Sequence, residues 1–364
     1  MLIKTIYILY FLLLLLKLDC CHSQSEISKI NNKTQKIIEK YLVKENIPGM
    51  SITVTLNDSV IFSKGFGFSD IENKKPVYPN STKFRIASIT KTITASTIAR
   101  LSELNIIDLK KSVYHYLDSL PRKQFDFTIE EVGGHLSGIR RVPSGEKYTC
   151  DNQYQKSNFY SIFNTDNLLF EPSTSYEYSN YGYKLLGVII EKQTQESIFD
   201  NHKKYILNVL GLENTVPETK IHDSLTSKFY IEKKGEIIEA PCLDCTFKYA
   251  QGCYLSTSED LAKLGNAYLF PNRILKKETL VELIRSKKLK NGIKTNYGFG
   301  FMSGKDFYGN LFFGHNGAYQ GSRSVLRIYP KSKIVIAILA NRNVDGLDNL
   351  ATEISYNYNK ISIH

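Results

Sequence analysis

The sequence predicts an α+β fold, in which an antiparallel sheet built from both chain ends carries an inserted helical lobe. Two observations predict it. Strand patterns gather near the start and the end of the chain, whereas the long middle reads as helices joined by loops rich in Gly, Pro, Asn and Ser. No repeat or low-complexity linker divides the 364 residues. One domain over 24–364 is therefore expected, with a sheet part near 24–85 and 292–364 and a helical part near 86–291. Hydrophobic residues at 42% and charged residues at 23% match a globular chain and exclude a disordered or collagen-like one.

The first 23 residues read as a secretory signal peptide. Lys4 precedes an apolar run, Ile6–Leu16, which Lys17 and Asp19 close, and small residues surround Cys21-His22-Ser23. At about 1.5 Å per residue this run falls short of a hydrocarbon core of roughly 30 Å, so no membrane span is expected in the mature chain. No Arg occurs before Arg85, unlike an Arg-rich mitochondrial address. Secretion is the expectation; an organelle address or a retained membrane anchor is the alternative. Export makes Asn32, Asn57 and Asn80 glycan acceptors in Asn-x-Ser/Thr triplets. It also leaves Cys150, Cys242, Cys245 and Cys253 to form disulfides, with three pairings open. Cys242-x-x-Cys245 lacks a second matching pair, so no metal is expected, and no cofactor either.

Apolar residues at helical spacing from Ile27 to Leu42 predict a helix near 27–44, stopped by Pro48-Gly49. Met50, Ile52, Val54 and Leu56 alternate with Ser51, Thr53 and Thr55, which predicts a half-buried strand. Asp58-Ser59 turns it into a hairpin with Val60-Ile61-Phe62. Helical patterns follow at Thr90–Leu104, Tyr181–Gln193 and Ser258–Leu269. Ser324–Tyr329 and Ile334–Ala340 are strand candidates, and a helix near Leu347–Tyr358 closes the chain. Lys plus Arg exceeds Asp plus Glu by 47 − 36 = 11. The densest basic patch, Arg285 to Lys294, has no interleaved aromatic residue for base stacking, so nucleic-acid binding is not expected.

Three short motifs carry chemistry. Ser88-Ile-Thr-Lys91 sits where an extended segment enters the helix at Thr90. Three residues apart on a helix, Lys91 reaches the Ser88 hydroxyl and helps remove its proton, making Ser88 a nucleophile. Tyr178-Ser-Asn180 opens the next long helix. A neighbouring ammonium would favour the Tyr178 phenolate as a proton shuttle, and the Asn180 amide would hold Lys91 or a substrate carbonyl. His315-Asn-Gly317 follows the apolar run Leu311-Phe-Phe313. His315 would bring a donor or titratable group to the cleft, Gly317 close backbone approach, and the Ala318 N–H an oxyanion contact beside Asn316.

Together these motifs resemble the three elements of the serine β-lactamase and penicillin-binding-protein superfamily, of the class C kind with tyrosine in the second. His135-Leu-Ser-Gly-Ile-Arg140 is similar to its His-x-Ser-Gly loop. Phe229-Tyr-Ile231, Leu255-Ser-Thr257 and Gly265-Asn-Ala267 extend the likeness to the family's animal serine β-lactamase-like branch, over about residues 28–364. The resemblance implies the β-lactamase/transpeptidase-like fold and an acyl ester on Ser88. It also implies proton transfer by Lys91 and Tyr178, orientation by Asn180, and His315 in place of the usual third-motif lysine. The implied activity is hydrolysis of a peptide or small acyl substrate. An esterase, a D-aminopeptidase or a catalytically silent binding or assembly protein is the alternative, and the oligomeric state stays open. Departures are Gly133-Gly134 where a helical Leu pair is usual, Ser173 where glycine is usual, Asn316 for Thr or Ser, and Cys253 at a small-residue position.

Overall fold

The computed structural model describes residues 25–141, 163, 166–242 and 248–359. The expected signal peptide, Cys150 and Cys245 lie outside these residues. A seven-stranded antiparallel sheet runs in the order β3-β2-β1-β12-β11-β10-β9. Its first strands are β1 (Gly49–Leu56), β2 (Ser59–Asp70) and β3 (Lys75–Pro76). Its last are β9 (Met302–Lys305), β10 (Leu311–Tyr319), β11 (Ser322–Tyr329) and β12 (Ile334–Ala340). The two chain ends meet at the centre, where Met50 faces Ala340 and Leu56 faces Ile334.

Ile-Val-Ile-Ala-Ile-Leu-Ala of β12 is buried along its whole length, as expected of a strand covered on both faces. β1 departs from the half-buried expectation, because every residue from Gly49 to Thr55 is buried. The polar face lies under the helix Ser258–Leu269, which supplies partners for its hydroxyls. Ser258 Oγ stands 2.7 Å from Ser51 Oγ and 2.8 Å from Thr53 Oγ1, and Thr55 Oγ1 donates to Asn266 Oδ1 at 2.7 Å. Alternation signals polarity, not exposure, when the covering helix is itself polar.

Helix α1 (residues 25–44) and the closing helix Leu347–Tyr358 cover one face of the sheet, packing Ile38 with Ile52, Val54, Ile336, Leu350 and Ile354. On the other face, α2 (Thr90–Glu103), α3 (Asn180–Thr194) and α4 (Ser258–Leu269) build a larger core. It joins Ile93, Ile98, Leu185, Ile189 and Leu261 to Leu326 and Leu339 of the sheet. Each such side chain contributes about 1.5–3 kcal/mol on burial. The closing helix, Leu347–Tyr358, is α5.

A smaller sheet forms from β4 (Phe84–Arg85), β8 (Tyr254–Ser256) and β5 (Val216–Pro217), and a hairpin from β6 (Tyr230–Lys233) and β7 (Glu236–Glu239). Strands β4, β5 and β8 hold two or three residues each, too few for a periodic signal. They matter because β4 delivers the chain to Ser88.

Candidate active site

Ser88 lies in the 3-10 turn Ala87–Ile89, which runs directly into α2. Ala87 adopts a left-handed φ of 45°, a conformation that costs a non-glycine residue about 1–3 kcal/mol. Two strands hold the turn in place: the Ile86 N–H donates to Tyr254 O at 3.0 Å, and Ser324 Oγ donates to Ile86 O at 2.9 Å. Strand β10 presses against the same residue. A Cβ on Gly317 would lie 2.2 Å from Ile86 O and 2.0 Å from Ser324 Oγ, so only glycine fits there. Because β9 pairs with β10 only from Leu311 to Gly314, no strand among the described residues pairs with that edge of β10 from His315 to Tyr319.

Lys91 is fully buried, and its Nζ stands 3.2 Å from Ser88 Oγ, 2.9 Å from Asn180 Oδ1 and 2.8 Å from the Gln251 carbonyl oxygen. Burial, reinforced by the positive charges of Arg141 and Lys248, pushes its pKa well below the ordinary lysine value. An uncharged amine has two N–H groups and one lone pair. Asn180 Oδ1 and the Gln251 carbonyl can only accept, so they take the two N–H groups. The lone pair is left to face the Ser88 hydroxyl, the arrangement a general base requires.

The Tyr178 ring centroid lies 4.9 Å from Lys91 Nζ. Its hydroxyl is buried without a close hydrogen bond, and Ser88 is its hydroxyl neighbour. Burial raises the Tyr178 pKa and the Ser88 contact only partly offsets this. The phenol therefore keeps its proton, which reverses the expected phenolate: the amine beside it is desolvated too and supplies little charge. Tyr178 suits proton donation better than proton removal.

The segment from His135 to Arg141 holds Tyr178 and Asn180 in place. Glu177 N–H donates to His135 O at 3.1 Å, and Asn180 N–H to Arg141 O at 3.3 Å. Ser179 Oγ donates to Arg140 O at 2.8 Å while accepting the Gly182 N–H at 2.9 Å as the N-cap of α3. The Ser179 N–H donates to His135 Nδ1 at 3.1 Å, so the His135 proton sits on Nε2. That ring lies 4.4 Å from the Tyr178 ring, 5.3 Å from Tyr183 and 4.7 Å from Tyr297.

His315 is placed beside this cluster but differs from the expectation. Its Nδ1 faces the Asn316 carbonyl at 2.6 Å and must donate; its Nε2 accepts from Tyr297 Oη at 3.0 Å. Burial, then the neighbouring Lys91, push its pKa down to about 3. The ring is neutral, with both nitrogens engaged within the protein, and its centroid lies 6.1 Å from that of Tyr178. It offers the cleft neither a free donor nor a titrating group near neutrality. Asn316 Oδ1 is buried without a partner, and Gly317 and Ala318 continue along the strand.

The structure thus gathers Ser88, Lys91, Tyr178 and Asn180, with His315 set back behind Tyr178 and Tyr297. Sequence reasoning missed the Gln251 carbonyl, Tyr297 and the positioning role of His135. A main-chain carbonyl leaves no trace in a sequence, whereas His135 had its loop motif as a signal. One of the departures finds a cause: a Cβ on Gly133 would lie 2.2 Å from the Phe299 ring. Ser173 holds a φ of 65°, which glycine adopts more easily, so the backbone accounts for the usual glycine and not for this serine.

The family model described as Beta-lactamase matches residues 34–355. The chain is 25% identical to the human "Serine beta-lactamase-like protein LACTB, mitochondrial", covering 86% of this chain and 77% of that protein. It is 29% identical to "Protein flp" of Staphylococcus aureus, covering 90% and 67%. Among solved structures, the octameric penicillin-binding protein homologue from Pyrococcus abyssi superposes with a TM-score of 0.74 at 27% identity, over 85% of this chain and 73% of that one. The D-amino acid amidase from Ochrobactrum anthropi SV3 gives a TM-score of 0.79 at 21% identity, over 91% and 99%, a likeness of fold alone. Matched along most of its length, the chain belongs to the beta-lactamase family.

Proposed function

We propose that the protein is a serine hydrolase that acts through an acyl ester on Ser88, with a peptide amide as its substrate. The observation that carries this reading is the lone pair of Lys91, left facing Ser88 Oγ at 3.2 Å by two carbonyl acceptors. In the forward step Ser88 Oγ bonds to the substrate carbonyl carbon and its proton passes to Lys91 Nζ. Tyr178 gives its proton to the leaving nitrogen as the C–N bond breaks, and Lys91 reprotonates Tyr178. Water then attacks the ester, passing its proton back through the same pair to Ser88. The Asn180 amide nitrogen makes no bond to a described residue and is free to orient the substrate. The N–H groups of Ser88 and Ala318 receive the oxyanion, with Asn316 and Gly317 shaping that edge.

Slow turnover of β-lactams is the expectation for a site whose acylating pair must also activate the deacylating water. Secretion is part of this proposal, on the apolar leader and on the exposed Asn32, Asn57 and Asn80 of the Asn-x-Ser/Thr triplets. No helix among the described residues is long and apolar enough to cross a membrane. The mitochondrial relative keeps an organelle address as the alternative.

A fluorophosphonate probe tests the reading. The wild type should be labelled on Ser88 and the Ser88→Ala variant should not. Equal labelling of the two would leave only a binding protein on this fold. A peptide library offered to the mature chain would then identify the scissile bond.

A further inference from the structure

The two N–H groups assigned to the oxyanion come from separate pieces of chain. Ser88 follows β4, and Ala318 lies on the edge of β10 that no described strand holds. Arg85 ties the two together. Its guanidinium is buried, three residues before Ser88, and Nη1 donates at 2.8 Å to the carbonyl of Gln320, two residues past Ala318. The rest of the fork holds Glu218: Nη2 stands 2.7 Å from Oε1, and Nε donates to Oε1 at 2.8 Å and to Oε2 at 3.0 Å. The Phe229 ring centroid lies 3.9 Å from the guanidinium carbon and fixes the plane of the fork. Glu218 is buried as well, and its N–H donates at 3.0 Å to the carbonyl of Cys253, two residues beyond the carbonyl that binds Lys91. Burial would raise the Glu218 pKa, but His222 at 3.0 Å and Arg85 outweigh it, so the carboxyl is held below its ordinary value and stays charged.

We propose that Arg85, oriented by Glu218, is a positioning residue that sets the separation of the two oxyanion donors, the N–H groups of Ser88 and Ala318. The inference rests on the hydrolase reading above. A planar guanidinium bonds a carboxylate along one edge and still offers Nη1 to a carbonyl on another, whereas a lysine presents a single compact ammonium. The spacing matters because about 1 Å of misplacement costs on the order of 10²-fold in rate.

The competing explanation gives the buried pair one task, folding. Removing one partner of such a pair is strongly destabilising, but exchanging both for apolar residues of similar size is often neutral or better. The double variant Arg85→Met/Glu218→Leu therefore keeps the fold and removes the tie to Gln320. The readout is the ratio of kcat/KM for p-nitrophenyl butyrate to that for its thionoester, in which C=S replaces C=O. Sulfur is larger and a weaker acceptor, so it gains little from donors spaced for oxygen, and any general loss of activity cancels in the ratio. The wild type should favour the oxo ester by about 10²-fold, the usual worth of one such donor. The double variant should keep the wild-type urea midpoint and lose about tenfold of that preference. Arg85→Lys, which leaves a charge opposite Glu218, should lose a similar part and supplies the measurement if the double variant does not fold.

A wild-type ratio in Arg85→Lys, or in a stably folded double variant, overturns the inference and leaves the pair a folding role. A wild type that labels on Ser88 yet shows no preference for the oxo ester, or hydrolyses neither ester, overturns this inference and spares the hydrolase reading. Failure to hydrolyse either ester, together with failure to label Ser88, overturns both.

Discussion

An amine beside a hydroxyl becomes its base only if it enters the cleft uncharged, and at Lys91 burial and the charges of Arg141 and Lys248 favour that state. Replacing Lys91 with Met should lower kcat/KM by about 10²–10⁴, the usual range for a lost general base, with Ser88 still in place. Tyr178→Phe should cost at least about 10² on an amide and less on an activated ester, whose leaving group needs no proton. The pH profile distinguishes the roles. Activity should fall on the acid side as Lys91 takes up a proton. Lys248→Gln removes a neighbouring cation, raises the Lys91 pKa and should move that limb to higher pH. His315→Asn should leave its position unchanged, since the imidazole stays neutral down to about pH 3. A limb that followed His315 instead would reassign the base.

At the scale of elements, the catalytic groups depend on how strands and helices lean on one another. Gly317→Ala would drive a Cβ into Ile86 O and Ser324 Oγ and push β10 away from the nucleophile turn. A stability loss of about 1–3 kcal/mol in urea unfolding and a larger proportional loss of turnover should follow. A buried polar chain supports Lys91 from behind. Thr94 Oγ1 donates to Ala250 O at 2.7 Å, so it must accept from His202 Nε2 at 3.1 Å, and His202 Nδ1 accepts from Tyr254 Oη at 2.9 Å. Ala250 precedes the residue whose carbonyl binds Lys91. The end strands, the hairpin and the long helices were legible because each repeats its period several times. The second and third motifs gained meaning only in order with the first. What stayed hidden was β5 and β8, the buried polar face of β1, and the main-chain carbonyl of Gln251 that binds Lys91. These depend on partners distant in sequence or on atoms common to all residues.

Across the whole molecule, the sheet separates two apolar cores, and the candidate site opens where the larger core meets the free edge of β10. Two imidazoles buried in this arrangement, His202 and His315, are each held from 6.5 down to about 3. The unfolded chain binds protons there more readily, so the stability they allow is complete above pH 6.5 and is lost as pH falls toward 3. The loss amounts to about 1.4 kcal/mol per pH unit for each group. Urea midpoints at pH 7 and pH 4.5 should differ more for the wild type than for His202→Asn; an equal difference would refute the assignment. The covalent ester on Ser88 remains the claim to which the rest is tied. Intact-mass spectrometry of the mature protein, quenched in acid during turnover of a slow ester, tests it most directly. The account predicts a mass gain equal to one acyl group, located on the peptide containing Ser88 and missing from Ser88→Ala. Turnover with no such adduct, or an identical adduct in the Ser88→Ala variant, would contradict it.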